Sequence, residues 1–458
     1  MIDKAHENFA QEISSKKKTI LKNGLILTKP GSSAVEVNRY TVLEDDIIGA
    51  INSAEEPEDC LAEVIDCSGS IILPGFVNCH NHTPMSLLRG LSDDLPLDKW
   101  LSDYIFPIES RFVNPEFVGI GARLSMMEML LSGTTTVADA YFFMESVAEA
   151  ANDLGIRAIV AQGIVDFPTP DTNDKVHWKE RIGRFLDTFQ SGPLTQPALF
   201  CHSPYLCGEK TFIEAHEIAG AKNMLLFSHV SETRSEVQDS IEKFGSTPFE
   251  RLATMGALGP NFVAVHAVHV TDEDRQIIRD NGVGIIHCPR SNLKLSSGLA
   301  HVKKFRDLDI RVGIGTDGPA SNNNLDMIEE LRSAALISKI VGCQEDAMSA
   351  EDVLAAGTYG GASALGLEHV IGSLEAGKYA DVIIVNLNSP HLAPAYNPHS
   401  MLVYSSRGSD VRDVFVHGRH VVRDREITTI DGEGLMRETE EIARSVSKSS
   451  GVPFWGKR

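Results

Sequence analysis

The middle of the chain is a series of short apolar runs, most of which end in a polar residue. Stretches with helical spacing of apolar positions separate most of the runs, for example residues 115–133 and 211–223. Buried strands that alternate with helices predict an α/β fold with a parallel (β/α)8 TIM barrel. The predicted barrel strands lie within residues 72–82, 134–140, 157–166, 198–205, 224–232, 262–270, 283–292 and 311–322.

Both ends of the chain have a different pattern, in which shorter apolar stretches alternate with turn residues. Residues 19–73 contain several such stretches, and residues 372–387 and 413–427 contain more of them near the C-terminus. Short strands between Gly-rich turns produce this pattern. The sequence therefore predicts β structure on either side of the barrel.

Four polar side chains at the ends of the predicted barrel strands form a candidate metal site. His80 and His82 end the first run, and residues i and i+2 of a strand point to the same side. His229 ends the fifth run and Asp317 ends the eighth. Each residue alone is more often structural, but the C-terminal rim of such a barrel carries the active site. Three histidines and one carboxylate predict a mononuclear divalent metal site with a position for water.

Other polar residues on the same rim are candidates for proton transfer and substrate contact. Glu232 follows the fifth strand and is not needed as a ligand, so it can donate a proton to a leaving nitrogen. His266 ends the sixth strand and is favoured over His269 as the inward-facing histidine. His202 ends the fourth strand. His287 ends the seventh and is equally compatible with a rim contact and with a structural hydrogen bond.

Composition and charge exclude several classes of protein. The chain has 458 residues, a net charge of −21 and 42% apolar residues, which argues against a nucleic-acid partner and against disorder. No apolar stretch is long enough to span a bilayer, and the N-terminal residues do not resemble a secretory signal. Seven cysteines without a C-x-x-C pair are typical of reduced thiols. We therefore expect a cytoplasmic enzyme that acts on a small molecule.

Residues 313–318 match the pattern G-x-G-x-x-G and follow a predicted strand. A dinucleotide site would need a helix directly behind the glycines and an acidic residue about 20 positions on, at the end of a second strand. Residues 319–324 read PASNNN instead, and no strand is predicted at that distance. The sequence therefore argues against a nucleotide cofactor.

Several segments together resemble the amidohydrolase superfamily and, within it, the 5′-methylthioadenosine/S-adenosylhomocysteine deaminase family. The broader resemblance rests on PGFVNCHNH (74–82), HVSE (229–232), VHAVH (265–269) and GTDGPASNN (315–323). The closer one rests on HTPMSLLRGLSDDLPLDKWL (82–101), HSPYLC (202–207) and PRSNLKLSSG (289–298).

The resemblance covers residues 19 to about 430 and implies that the two β-rich ends pair into one small, discontinuous β-sandwich domain. The expected organisation is residues 1–73 and 371–458 for the two parts of that domain, the latter with a C-terminal tail, and residues 74–370 for the barrel. The resemblance also favours a homo-oligomer.

Site roles follow from the resemblance, residue by residue. One divalent ion is implied, with Zn²⁺ favoured over Fe²⁺ and Mn²⁺. Its ligands would be His80, His82, His229 and Asp317. The catalytic residues would be Glu232, His266 and Asp317, and the substrate contacts would be Asp98, Trp100, His202 and Glu232.

Two positions depart from the family pattern. Asp98 stands where the family often has a glutamate on the ribose hydroxyls, so the reach is shorter by one methylene. Gln162 stands where some members have an arginine for the homocysteine carboxylate, which disfavours S-adenosylhomocysteine unless Lys175, Lys179 or Arg181 substitutes.

The sequence thus predicts hydrolytic deamination of an adenosine-type nucleoside, with hydroxide attacking C6 of adenine and ammonia leaving. Candidate substrates are 5′-methylthioadenosine, adenosine and S-adenosylhomocysteine. The alternative is a related aminohydrolase or chlorohydrolase that acts on a triazine, pterin or guanine-like ring. A non-catalytic barrel is disfavoured, because a scaffold has no physical need for the complete set of polar rim residues.

Overall fold

A computed structural model describes residues 17–31, 39–53, 61–95, 97–172, 177–189, 191–342 and 347–456, except for the Asp98 side chain. Six short strands precede the barrel. These strands are β1 (Lys18–Lys22), β2 (Leu25–Ile26), β3 (Tyr40–Glu44), β4 (Ile47–Ser53), β5 (Glu63–Asp66) and β6 (Ser70–Pro74).

The centre of the fold is an 8-stranded sheet whose neighbouring strands are all parallel. Each strand overlaps one of the predicted runs, so the (β/α)8 barrel is confirmed; β10 begins three residues before its run, and β8 ends one residue after its run. The strands follow the order of the chain around the sheet. They are β7 (Phe76–Asn81), β8 (Thr134–Tyr141), β9 (Arg157–Ile164), β10 (Thr195–Cys201), β11 (Leu226–Val230), β12 (Phe262–His266), β13 (Gly284–His287) and β14 (Val312–Ile314).

Helices surround this sheet, and many begin at a side-chain cap. Thr233, Thr247 and Thr271 each accept a hydrogen bond from a backbone N–H of the first helical turn. In the part of the chain that the structure covers, no helix combines the length and apolarity needed to cross a membrane. The helices are α1 (Leu97–Lys99), α2 (Phe106–Phe112), α3 (Pro115–Leu131), α4 (Met144–Leu154), α5 (Trp178–Thr188), α6 (Glu209–Ala221), α7 (Arg234–Phe244), α8 (Pro248–Thr254), α9 (Asp272–Asp280), α10 (Pro289–Lys294), α11 (Val302–Arg306), α12 (Met327–Val341), α13 (Ala350–Ala356), α14 (Tyr359–Ala364), α15 (Pro398–Ser400) and α16 (Gly432–Ser450).

The two ends of the chain form two further sheets, as the resemblance implied. One is 4-stranded, with the order β4-β3-β1-β5. The other is 6-stranded and adds β15 (Val382–Asn386), β16 (Val411–Val416), β17 (Arg419–Arg423) and β18 (Glu426–Ile427) in the order β18-β17-β16-β15-β6-β2. The pairing of β6 with β15 joins the N-terminal segment to the C-terminal one.

A separate apolar core lies between these two sheets. Leu21 and Ile48 of the smaller sheet pack with Ile72, Val382 and Phe415 of the larger one, and all are buried. Burial of apolar surface therefore holds the discontinuous domain together. The helix α16 contacts α3 of the barrel layer. The exact domain boundaries stay a prediction.

The barrel closes at a seam between β7 and β14, the two end strands of the sheet order. Cβ atoms added to Gly313 and Gly315 would lie 2.6 Å from Sγ of Cys79 and 2.8 Å from the backbone nitrogen of His80, respectively. Such contacts are too close for any larger residue. The glycines of the G-x-G-x-x-G pattern therefore permit close approach of two strands, which explains the pattern without a nucleotide.

Gly315→Ala is expected to lower the free energy of unfolding by about 1–3 kcal/mol, because the added methyl group overpacks the seam. Gly220→Ala is the matched control, since a Cβ there has nothing within 4 Å. It should raise the free energy of unfolding by about 0.5–1 kcal/mol through helix propensity. Urea denaturation of both variants measures the two effects. Equal stability of Gly315→Ala and the wild type would contradict the seam interpretation.

Candidate active site

The four predicted ligands converge at the C-terminal ends of the strands. Their ligand atoms all lie within 4.8 Å of one another. Nε2 of His80 lies 3.2 Å from Nε2 of His229 and 3.3 Å from Oδ1 of Asp317, and Nε2 of His82 lies 3.4 Å from the same oxygen. A tetrahedral ion with bonds of about 2.0–2.1 Å separates its ligands by roughly 3.3 Å. The donor set therefore fits one divalent metal ion.

Neighbouring groups orient two of these ligands. Nδ1 of His82 lies 2.5 Å from the carbonyl oxygen of Ala140, so Nδ1 carries the proton and Nε2 is free to bind a metal. Oδ2 of Asp317 accepts hydrogen bonds from the hydroxyls of Ser291 and Ser321, at 2.6 and 2.7 Å. Because the two serines hold Oδ2, Oδ1 faces the histidines.

The charge state of the cluster also suits a cation. Burial lowers the pKa of His80 to about 4 and that of His229 well below its usual range. Burial opposes ionisation of Asp317, but its hydrogen bond to His80 and the nearby imidazole of His82 hold the pKa of its carboxyl well below the usual range. Neutral imidazoles and an ionised carboxylate are the forms that bind a divalent metal.

Glu232 and His266 lie beside the cluster in the same cavity. Oε1 of Glu232 accepts a hydrogen bond of 2.9 Å from the Ser297 hydroxyl, and Oε2 lies 3.7 Å from Nε2 of His266. Nδ1 of His266 lies 2.8 Å from Oδ1 of Asn292. Because an amide oxygen can only accept, Nδ1 carries the proton and Nε2 faces Glu232. His269 instead contacts the carbonyl oxygen of Ser297, so the choice of His266 as the inward histidine agrees with the geometry.

The cavity beside the cluster has mostly apolar walls. Trp100 and His202 line it together with Glu232. Asp98 falls in α1, but its side chain lies outside the described residues. Aromatic and aliphatic walls with a few polar groups suit a planar heterocycle. The apolar lining comprises Met85, Leu97, Leu101, Ile105, Phe106, Phe142, Ile164, Val165, Phe200 and Leu295.

Gln162 gives no evidence against S-adenosylhomocysteine, because it does not belong to the described lining of the cavity. The side chain is fully buried, donates a hydrogen bond of 2.8 Å to Asp171 and lies outside the described lining of the cavity. The next three residues, Gly163, Ile164 and Val165, line the cavity instead. Gln162 itself is therefore held against Asp171 and does not contact the described part of the cavity.

The basic residues that could replace the family's arginine for the homocysteine carboxylate either form ion pairs with other residues or lie outside the described residues. Arg181 forms ion pairs with Asp171 and Glu145, and Lys179 pairs with Glu214 at 2.6 Å. Lys175 lies outside the described residues.

His287 lies away from the described lining of the cavity. It is buried, its Nδ1 has no hydrogen-bond partner within the described part of the chain, and burial lowers the pKa of its ring to about 3. The two interpretations left open by the sequence, a rim contact and a structural hydrogen bond, both stay predictions.

A buried carboxyl group in the cavity wall was not predicted from the sequence. Glu109 lines the cavity, and its Oε1 accepts a hydrogen bond of 2.5 Å from the hydroxyl of Tyr141. Burial raises the pKa of Glu109 to about 7. Glu109 lies in α2 rather than at a strand end, so the pattern of polar residues at strand ends does not predict it.

A second missed carboxylate, Asp139, supports the segment after His82. It accepts hydrogen bonds from the backbone N–H and the hydroxyl of Thr83, at 2.6 and 2.7 Å. Burial raises the pKa of Asp139 to about 6. Asp139 is the charged residue near the end of the second run, so the pattern of polar residues at strand ends could have identified it.

Comparisons with known proteins show the family to which the chain belongs. The sequence profile described as "Amidohydrolase family" matches residues 71–421. A 5-methylthioadenosine/S-adenosylhomocysteine deaminase from Syntrophobacter fumaroxidans is 38% identical over 436 residues, which cover 94% of this chain and 99% of that protein. A 5′-deoxyadenosine deaminase from Methanobrevibacter smithii is 39% identical over 433 residues, with 94% and 98% of the two chains covered.

A solved structure also matches most of the fold. It is an adenosine deaminase from Xanthomonas campestris with bound zinc, 33% identical, with a TM-score of 0.91. The match covers 94% of this chain and 99% of that one. The chain therefore belongs to the amidohydrolase family, in the branch that contains the 5-methylthioadenosine/S-adenosylhomocysteine deaminases.

Proposed function

We propose that this protein is a metal-dependent hydrolytic deaminase of adenosine-type nucleosides, including 5′-methylthioadenosine and adenosine. The observation that carries the proposal is the cluster of His80, His82, His229 and Asp317 with Glu232 in one cavity. The names of the similar proteins support the nucleoside class. S-adenosylhomocysteine is a further candidate, because the argument from Gln162 no longer applies. A homo-oligomeric state is part of the proposal.

The ion would be held by the four clustered ligands, and we propose Zn²⁺ before Fe²⁺ and Mn²⁺. A divalent ion there would lower the pKa of a water molecule to about 7 and so supply hydroxide at neutral pH. Asp317 would accept the proton that the water loses, since its carboxylate is ionised and faces the histidines. The serine hydroxyls on Oδ2 keep this carboxylate in one orientation during the transfer.

Glu232 would deliver a proton to the ring nitrogen next to the carbon that carries the amino group. Its carboxyl is buried and held by Ser297, so it has a fixed direction into the cavity. His266 would hold the attacking oxygen as the tetrahedral intermediate forms, because Asn292 turns Nε2 toward the cavity, where it can accept a hydrogen bond from that oxygen's hydroxyl. Trp100 and His202 would bind the nucleoside, and Asp98 would accept a hydrogen bond from a ribose hydroxyl. Asp317 would pass the proton that it accepted to the amino group, which leaves as ammonia, and the proton of the added hydroxyl would return to Glu232.

Ammonia release by metal-replete protein tests the substrate class. We expect release from 5′-methylthioadenosine, 5′-deoxyadenosine or adenosine, because the apolar walls suit a purine with a small 5′ group. S-adenosylhomocysteine, guanine and an amino-triazine are assayed in parallel. Release from only guanine or the triazine would contradict the nucleoside proposal and favour the related aminohydrolases.

The ligand set is tested by metal content. His229→Ala should lose the bound ion, because it removes one of the four ligands. His202→Ala is the matched control, since its ring centroid lies 4.9 Å from that of His229 but it is not one of the clustered ligands. Inductively coupled plasma mass spectrometry of the purified variants measures the number of metal ions per chain. A full complement of metal in His229→Ala, or its loss from His202→Ala, would contradict this ligand set.

Glu232→Gln tests the proton donor. We expect the variant to keep its metal and to lose about 10²–10⁴-fold in kcat, because an amide cannot donate the required proton. Steady-state kinetics and metal content are measured on the same preparation. Turnover at the wild-type rate in the metal-replete variant would exclude Glu232 from this role.

A further inference from the structure

Glu236 lies behind the cavity and binds the backbone of the segment that carries Glu232. Its Oε1 accepts a hydrogen bond of 2.8 Å from the N–H of Ser231, and its Oε2 accepts one of 2.7 Å from the N–H of Glu232. The side chain is buried, with 8% of the residue exposed. Each carboxylate oxygen of Glu236 thus accepts a hydrogen bond from one of two consecutive backbone N–H groups.

This arrangement differs from ordinary helix capping. Glu236 is at the N3 position of α7, behind the N-cap Thr233. Glu250 occupies the same position in α8, where its side chain accepts from the N–H of its own N-cap, Thr247, in a capping box. The hydrogen bonds of Glu236 reach further back, to residues that precede the N-cap. Stabilisation of the helix end alone does not require those bonds.

Ser231 connects this segment to the one that carries His266. Its backbone is left-handed, with φ of 55°, which is uncommon for a residue other than glycine. Its carbonyl oxygen accepts hydrogen bonds from the N–H groups of Val268 and His269, at 3.0 and 2.9 Å. His266 itself has φ of 73°. Ser231 is therefore held by Glu236 on its N–H side and by the segment after His266 on its carbonyl side.

We propose that Glu236 is a positioning residue that sets the placement of Glu232 relative to His266. A carboxylate can accept both backbone N–H groups, whereas the amide of glutamine offers one acceptor and would turn an NH2 toward the second N–H. Loss of one bond would release the strained Ser231 backbone and shift the neighbouring Glu232. The inference rests on the proposed function for its kinetic readout.

The test compares Glu236→Gln with Glu250→Gln, both metal-replete, using the best nucleoside substrate of the wild type. Glu236→Gln should lose about 10- to 100-fold in kcat, because small misplacements of reacting groups cost this much, while KM and metal content stay near wild type. Glu250→Gln makes the same side-chain change at the N3 position of a helix but keeps the one acceptor that its bond from Thr247 needs, so it should keep the wild-type kcat. If Glu236→Gln does not fold, Glu236→Asp replaces it, with the same loss expected from its shorter reach.

Crystal structures of both variants provide a readout that does not depend on activity. The separation of Oε2 of Glu232 from Nε2 of His266, 3.7 Å here, should change in Glu236→Gln and not in Glu250→Gln. An unchanged separation, or equal loss of kcat in the two variants, would overturn the inference. If the wild type releases ammonia from no nucleoside, the proposed function fails, and the separation alone then decides the inference.

Discussion

The closure of the barrel between β7 and β14 is the contact on which the site depends. It brings His80 and His82 next to Asp317, although more than 200 residues separate them in the chain. Several hydrogen bonds hold the seam. Among them are those from the N–H of Thr316 to Oδ1 of Asn78, from the N–H of Asp317 to the carbonyl of His80, and from the Asn81 amide to the carbonyl of Asp317. The glycines of β14 and the turn after it allow this approach. A displaced seam would therefore separate three of the four ligands.

Buried acidic and amide side chains support the reactive residues from behind. Asp139 binds the segment after His82, Asn292 holds the ring of His266, and Glu236 holds the backbone of Glu232. Burying such groups costs free energy unless they form hydrogen bonds, and here the bonds go to the segments that carry the chemistry. The supporting residues therefore limit how far the reactive groups can move.

Much of the fold and the ligand set could be predicted from the sequence. The apolar runs fixed the number and order of the barrel strands, because a buried parallel strand must be apolar on both faces. The polar residues that end those runs indicated the ligands, since the strand ends of a barrel share one rim. The distances among the four ligands agree with this prediction. The position of Gln162 near a strand end suggested that it contacts the substrate. A position near a strand end does not, however, determine which face of the barrel wall a side chain lies on.

By itself, the sequence determined which residues are available at the rim, through local rules of strand burial and alternation. Only the tertiary structure decided which of them face the cavity, because the twist of each strand and its packing against the helices set that direction. Glu109 enters the cavity from a helix, and Glu236 reaches back across a helix end to a strained turn. No spacing in the sequence encodes such contacts, since they depend on how separate elements approach each other in space.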